Sequence, residues 1–444
     1  MKYIRMKRAL ISLVLMLKMA EMAMAQSSFI PLNDDSYHYL KRMEIKSGRI
    51  SDQLHFSALP LQRHHAVMMV DSTQDLISGW SSVDSGAMNF LLTDNDEWSL
   101  YSGALSRKPF LKYLYRDKAS LYQHRNDDFM VKVNPVFDFE IGTESASGEM
   151  LFTNTRGIEL RGWVAKKVGY YFFVSENQAR FPQYVHDRID SFGAVPGEGY
   201  YKTYKTTGVD FLSAKGYFDF TAAKFITIQF GTDKNFLGNG IRSLALSDFS
   251  EEYLFLKLQT QVWKIRYQNL FVDMTADFTR EADQLLPKKY GAIHHLSLNA
   301  TNFLNVGVWE SVVFQRNDGY ELQYLNPIIF YRSVEQLLGS PDNVMLGLDM
   351  RVNLFRHVSV YGQFMLDDFN IQVSKGTKGY WANKYGFQLG AQYIDAFKVS
   401  NLDLQLEWNH IRPYTYTHND TVANYSNYNQ PLAHPLGANL NEWI

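Results

Sequence analysis

The chain has no cysteine among its 444 residues. That removes disulfides, thiolate nucleophiles and cysteine-ligated zinc together, and also the lipidated cysteine with which a processed lipoprotein begins. No segment offers about 18 uninterrupted apolar residues, so a helix crossing a bilayer is excluded. Charge of one sign is lacking too. The formal net charge is −2 and the basic residues are scattered, so no nucleic-acid partner is expected. There is no Gly-x-Ser-x-Gly elbow and no His-x-x-x-His with a nearby Glu. Gly238-Asn239-Gly240 is not a dinucleotide fingerprint, because Ser243 stands where the third glycine would be. His64-His65 and His294-His295 are adjacent pairs, and neighbours on a strand point to opposite faces, so neither pair is expected to hold one metal ion. No cofactor or metal is expected, and the chain is read as non-catalytic.

Aromatic residues are abundant, with 28 Tyr and 30 Phe. Both suit strands, and Tyr suits a membrane–water boundary. The N-terminus carries Lys2, Arg5, Lys7 and Arg8, then the apolar run 9–17, then Ala23-Met24-Ala25 before Gln26. This charged, apolar, small-residue order predicts a secretory signal peptide over residues 1–25.

Residues 26–130 read as a small, mainly helical periplasmic region. Tyr37, Leu40 and Glu44 fall at helical spacing, and 65–70 and 110–121 are further short helices by pattern. Asp52, Pro60, Ser78-Gly79 and Pro109 interrupt them. From 131 to 444 the period becomes two. Val131, Val133, Phe137, Phe139 and Ile141 alternate with Lys132, Asn134, Asp138 and Glu140. Leu254, Leu256 and Leu258 alternate with polar or aromatic residues, Leu346, Leu348, Met350 and Val352 with Gly347, Asp349 and Arg351, and Leu402, Leu404, Leu406 and Trp408 with Asp403, Gln405 and Glu407. Each such segment has one greasy and one polar face, and many are about ten residues long, enough for a tilted membrane strand. A soluble sandwich also alternates. Here the polar faces carry charges of both signs, and no second layer is available to cover the greasy ones. Open sheet edges are not tolerated in lipid, so the sheet must close. The expected class is all-β: a transmembrane, antiparallel outer-membrane β-barrel, with outer-membrane lipid and the barrel-assembly machinery as partners.

Short connectors around Arg356-His357 and 299–305 suit tight turns, whereas 181–205, 233–250, 277–289, 318–343 and 412–439 are long and rich in Gly, Asp, Asn and Pro. The charged pairs Glu159/Arg161 and Asp349/Arg351 lie two apart on one face. They either line a path through the lumen or fill it as mutually paired charges.

Three loop motifs are specific. The first runs from Asp233-Lys234-Asn235-Phe236-Leu237-Gly238-Asn239-Gly240-Ile241-Arg242 to Leu246-Ser247-Asp248. The second is Tyr324-Leu325-Asn326-Pro327 followed by Gly339-Ser340-Pro341-Asp342-Asn343. The third joins Arg412-Pro413-Tyr414-Thr415-Tyr416-Thr417-His418 to Tyr428-Asn429-Gln430-Pro431-Leu432-Ala433-His434-Pro435-Leu436-Gly437-Ala438-Asn439. Together they resemble the capsule-assembly Wzi family in its Bacteroidetes form, which includes gliding-motility-associated surface proteins. The resemblance implies an outer-membrane barrel with a helical periplasmic portion that holds or organises surface polysaccharide without catalysis, for capsule assembly or surface adhesion. It also implies further strands after the third motif, whereas this sequence ends at Trp443-Ile444. The sequence is therefore read as a fragment or a prematurely stopped chain lacking its last strands.

Glycan recognition uses aromatic faces for sugar C–H surfaces, planar polar groups for hydroxyls, and Arg or Lys for acidic sugars. The motifs supply Arg242, Asp248, Arg332, Asp342, Asn343, Tyr414, Tyr416 and His418 as binding candidates. The competing role for each is to lock a loop against the barrel by hydrogen bonds. Two other functions compete with polysaccharide binding: a porin-like channel, resting on the charged inner faces, and an outer-membrane hydrolase whose triad would sit on strand ends.

Overall fold

The computed structural model describes residues 28–77, 79–99, 105–106, 113–145, 148–276, 285–316, 319–328, 330–339, 342–368, 380 and 382–444. The expected signal peptide lies outside them, as do Ser340 and Pro341 of the second motif. The helices are α1 (Ser36–Ser47), α2 (Arg63–Thr73), α3 (Ser82–Asp94), α4 (Gln183–Phe192) and α5 (Tyr331–Leu338). The strands are β1 (Ala58–Leu59), β2 (Tyr122–Arg125), β3 (Phe129–Thr143), β4 (Met150–Val164), β5 (Val168–Arg180), β6 (Tyr201–Tyr204), β7 (Gly208–Ala223), β8 (Ile226–Asp233), β9 (Phe236–Leu237), β10 (Tyr253–Val262), β11 (Ile265–Thr275), β12 (Lys288–Asn299), β13 (Leu304–Phe314), β14 (Asn343–Leu354), β15 (Val358–Asp368), β16 (Lys384–Tyr393), β17 (Leu404–Ile411), β18 (Ser426–Asn427), β19 (Gln430–Pro431) and β20 (Leu440–Trp443).

Sixteen strands form one antiparallel sheet in the order β2-β3-β4-β5-β7-β8-β10-β11-β12-β13-β14-β15-β16-β17-β20, with β6 added to β7. Apart from β6 and the short inner strands, each strand pairs with the next in sequence, so local hairpins suffice to build it. β2 and β20 stand at its two ends, and no ladder joins them among the described residues.

Connections alternate in length. One end has tight turns, such as the two-residue link between β10 and β11 and the three-residue link between β14 and β15, as the short connectors predict. Several of these turns expose an aromatic ring beside a cation: Lys224-Phe225, Trp263-Lys264, Phe355-Arg356 and Phe397-Lys398. Such a belt suits a bilayer boundary, where a ring can be half wet. The other end carries the long loops.

The alternation resolves into two environments. Leu254, Leu346, Leu348, Met350, Leu389, Leu404 and Leu406 are exposed on the outer face, while Lys257, Gln259, Asp349, Arg351, Gln388, Glu407 and Asn409 are buried on the inner face. Close packing is visible inside. Trp309 pairs across strands with Gly347, where a Cβ would come within 2.2 Å of the indole, so only glycine leaves the ring its place.

The N-terminal helices do not form a separate region beside the barrel. They plug the lumen from the tight-turn end. α1 to α3 share a core of Leu40, Met43, Leu54, Phe56, Val67, Val70, Leu91 and Leu92. Ser81 and Asp84 form a reciprocal capping box that starts α3. Gly48 ends α1 at φ 70°, and a Cβ there would meet the Arg356 side chain at 2.9 Å. Polar contacts bind the plug to the wall: Glu44 takes Arg351 (2.5 Å) and Asn353 (3.1 Å), His55 Nδ1 meets Ser297 Oγ (2.8 Å), and Lys132 and Arg161 pair with Asp96, Glu97 and Asp94.

Several sequence expectations change. The described part of 110–121 contains no helix. Asp117 instead bridges the backbones of Leu105 and Ser120, and its carboxylate takes Ser120 Oγ and Lys132 Nζ. Sheet pairing already begins at Tyr122, before residue 131. His64-His65 lies in α2, not on a strand. Arg161, Asp349 and Arg351 are inner-face charges, as expected of a lumen, but Asp349 pairs with His295 (2.8 Å), and the two arginines pair with the plug.

Candidate functional site

The three motifs converge at the loop end. Loop 234–252 leaves β8 and dives inward. Phe236 and Leu237, forming β9, pair with Leu59 and Ala58 of β1, so plug and loop meet in a two-residue ladder inside the lumen. Gly238 N–H donates to Ser57 O (2.9 Å) and Lys41 Nζ to Asn239 O (3.4 Å). The loop tip is held by one carboxylate. Glu407, fully buried on β17, accepts the N–H groups of Ile241 (2.7 Å) and Arg242 (3.0 Å), the Tyr361 hydroxyl (2.9 Å), Gln388 Nε2 (3.2 Å) and Asn409 Nδ2 (3.0 Å). Two successive backbone N–H groups aimed at one anion make a nest. Gln363 holds the next turn, accepting from Leu244 N–H (2.8 Å) and donating to Leu237 O (3.1 Å).

Loop 412–439 folds in beside it. Tyr416 Oη donates to Leu244 O (3.1 Å), Tyr425 Oη to Ala245 O (2.8 Å), and Ser247 N–H to Leu432 O (2.7 Å). Lys289 on β12 donates to Asn424 O (2.9 Å) and Ser426 Oγ (3.0 Å). The two loops and the inner wall share an apolar core that includes Leu244, Leu246, Phe255, Ile293, Trp309, Met345, Met365, Tyr416, Tyr425 and Leu432. A gap bounded by Leu246, Tyr253, Ile293, Tyr425 and Leu432 has room for roughly one water. Among the described residues the lumen is thus filled twice over, by the plug and by its own loops.

The binding candidates separate into locks and rim groups. Asp342 is a lock: it takes both Arg316 nitrogens (2.8 and 2.7 Å) and the Tyr324 hydroxyl (2.7 Å). Asn343 donates to Ala423 O (2.9 Å), and Tyr416 is buried. Asp248 accepts from Asn33 of the plug (2.7 Å). Arg242 is part-buried and faces Glu442 at 3.3 Å. Tyr414 is 57% exposed at φ 63°, Arg332 is exposed on α5 and paired with Glu335 (2.6 Å), and His418 holds Asp420 N–H on Nδ1 (3.2 Å). His418 reaches Glu335 electrostatically, so α5 and the third motif adjoin.

Motif spacing gives no sign of two further groups at the rim. Arg188 on α4 lies over Phe249 (4.7 Å) and Phe192 (5.2 Å) and donates to Pro435 O. Burial, with Arg242 nearby, lowers its pKa, so two guanidiniums adjoin on the rim. Beside them Glu198, Glu251 and Glu252 share Lys215 and Lys234. Burial, then Glu252 and Glu198, pushes the Glu251 carboxyl up to about 7. The folded loop therefore keeps a proton that the unfolded chain releases near the ordinary value of about 4.3, and stability falls as pH rises through that window. Protection of the backbone amides in 234–252, taken relative to the base-catalysed intrinsic exchange rate, is expected to fall between pH ~4 and ~7, and Glu251→Gln to flatten the dependence; an unchanged profile in the variant would assign it elsewhere.

Comparison with known proteins finds no matching protein-family model and no matching curated protein. Among solved structures, the chain is similar to Wzi, described as an outer membrane protein involved in group 1 capsule assembly in Escherichia coli and a carbohydrate-binding β-barrel. Identity is 14%, coverage is 94% of this chain and 82% of that one, and the TM-score is 0.55. An anion-selective porin from Comamonas acidovorans also matches, at 9% identity over 65% of this chain and 91% of that one, with a TM-score of 0.29. So does OccK8 of Pseudomonas aeruginosa, at 11% identity over 64% and 84%, with a TM-score of 0.32. The first likeness establishes the fold, an antiparallel β-barrel of the outer-membrane type with an N-terminal helical region; the two porins superpose too loosely to add to it.

Proposed function

We propose that this chain stands in an outer membrane and holds surface polysaccharide at its loop end, without catalysis. The observation that carries the reading is the filled lumen. A barrel plugged from one end and packed by two of its own loops from the other is built to present a surface, and that surface carries Tyr414, His418, Arg242 and Arg188. The likeness to a carbohydrate-binding barrel supports the same reading, as do the three motifs. Capsule assembly or surface adhesion would be the cellular setting. The charged inner faces that favour a channel are largely taken up in holding the plug and loops.

The test is a pull-down of cell-surface polysaccharide by the refolded, heat-modifiable barrel, paired with planar-bilayer recording. Saturable binding with no conductance is expected. The pair Arg242→Ala and Tyr414→Ala is expected to weaken binding by about thirtyfold or more, the scale of one aromatic face plus one charged hydrogen bond. Unaltered binding would remove these residues from the site. Stable conductance without binding would replace the reading by a channel.

A further inference from the structure

The outer wall has one place where its greasy face is interrupted. Asn269 of β11, His294 of β12 and Glu310 of β13 are neighbours across the ladders, and all three point outward, on the same face as Phe271, Ala292 and Val312. All three are nonetheless buried. A carboxylate and an imidazole on a bilayer-facing wall would be costly to leave bare.

The second motif covers them. Between β13 and β14 the chain turns back over the outside of the barrel, through a 3-10 turn at Leu322–Leu325 and then α5. Glu310 accepts the first two N–H groups of α5, from Tyr331 (2.9 Å) and Arg332 (3.1 Å), a carboxylate at the positive end of a helix. The Tyr331 ring lies 4.0 Å from that of His294, Tyr267 Oη donates to Pro327 O (2.5 Å), and Tyr320 Oη donates to Gly291 O (3.1 Å). Phe314, Tyr324 and Val334 fill the remaining space against the wall.

The far side of this cover carries three large apolar side chains, Ile328 (85% exposed), Leu337 (77%) and Phe330 (67%), barer than the wall residues Leu348 (52%) and Leu389 (56%), with the exposed Ser333 and Gln336 beside them. At about 100° per residue, Phe330 and Leu337 share one flank of α5, while Arg332 and Glu335 occupy the other, the flank that adjoins His418. A short helix with one flank greasy and one charged, packed against a greasy wall, suits a membrane interface. The exposed wall around it, Leu254, Leu296, Val308 and Leu346, continues the same apolar surface.

We propose that residues 319–328 and 330–339 form a membrane-seated cover. Ile328, Phe330 and Leu337 lie among the acyl chains of the bilayer, Arg332 and Glu335 face the headgroups, and the inner side shields Asn269, His294 and Glu310 from lipid. This rests on the reading of the chain as a membrane barrel, and the experiment separates the two. The absence of cysteine lets single spin labels be placed by I328C, F330C, L337C, R332C and T417C, with L348C and L389C as wall references, in phosphatidylethanolamine/phosphatidylglycerol vesicles. Labels at 328, 330 and 337 are expected to match the wall labels, accessible to oxygen and shielded from a water-soluble nickel chelate, while 332 and 417 collide with the chelate. If 328, 330 and 337 collide with the chelate while 348 and 389 do not, the cover lies in water and the proposal is overturned with the barrel intact. The same holds if 328, 330 and 337 are shielded from both reagents, which would mean a protein partner. If 348 and 389 also collide with the chelate, the membrane reading itself falls.

Discussion

Glu407→Ala should loosen the loop that fills the loop end of the barrel. The carboxylate accepts both N–H groups of the Ile241–Arg242 turn and serves five donors at once, while Gln388 Nε2 on β16 donates to Arg242 O (2.9 Å). Removing it leaves buried N–H and O–H groups with no acceptor, at about 1–3 kcal/mol for each that cannot find another. Loop 234–252 keeps its apolar contacts with Tyr416, Tyr425 and Leu432, so it should loosen at the tip and not unfold the wall. A Cβ at Gly240 would come within 2.3 Å of the same carboxylate, which shows how closely the tip is seated. Backbone exchange at 238–246 is expected to rise in the variant, while planar-bilayer recordings stay closed because the plug still fills the tight-turn end. Glu407→Gln keeps one acceptor oxygen but turns an NH2 towards the donors, so it should fall between the two. Unchanged exchange in Glu407→Ala would show that the apolar core alone holds the loop tip.

Arg42→Ala should release the plug at the other end. Arg42 on α1 meets Asp84 of α3 (2.8 Å) and two wall residues from the turn between β16 and β17, Asp395 (2.5 Å) and Asp403. Without the guanidinium, Asp84 and Asp395 are left with Lys46 (2.6 and 3.0 Å), and Asp403 with the half-exposed His38 (3.2 Å). Losing one partner of a buried ion network costs on the order of 3–5 kcal/mol. The same network sets a pH dependence. Burial alone would raise the carboxyls of Asp84 and Asp395, but Lys46 and Arg42 hold Asp84 well below the usual range, and Arg42 with the Asn401 N–H brings Asp395 down to about 2. The docked plug therefore binds fewer protons than the undocked one. Its stability is fully present above pH ~4 and is lost as pH falls towards the docked values. Protease nicking of 28–99 should rise below pH 4 in the wild type and already be high at pH 7 in Arg42→Ala. Equal resistance of the two proteins at pH 7 would mean that the Glu44–Arg351 pair and the plug core hold without Arg42.

The wall is legible in the sequence because lipid and lumen impose a period of two, and the tight turns because so few residues separate adjacent strands. Leu346 to Asn353 can be assigned face by face from alternation alone, and the opposed directions of His294 and His295 follow from the same parity. The three specific motifs all fall in long connectors, although 181–205 and 277–289 are long without one. The short helices are not legible. α4 and α5 have only ten and eight residues, and α5 gains its meaning from Glu310, which caps it from a strand. The helix expected over 110–121 fails for the converse reason: Asp117 is drawn to Lys132 on the barrel.

The sequence by itself determined the architecture, since alternation, strand length and turn spacing are local and every strand of a barrel faces the same two media. Only the tertiary structure decided what fills that barrel and what its loops do. Tyr416 meets Leu244, Glu407 meets Ile241, Asn33 meets Asp248 and Glu44 meets Arg351 across separations that no periodicity encodes. A carboxylate on the polar face of a strand looks the same in sequence whether it lines a pore or caps a loop. Its role is set by which donors the folded wall and loops bring within hydrogen-bond reach.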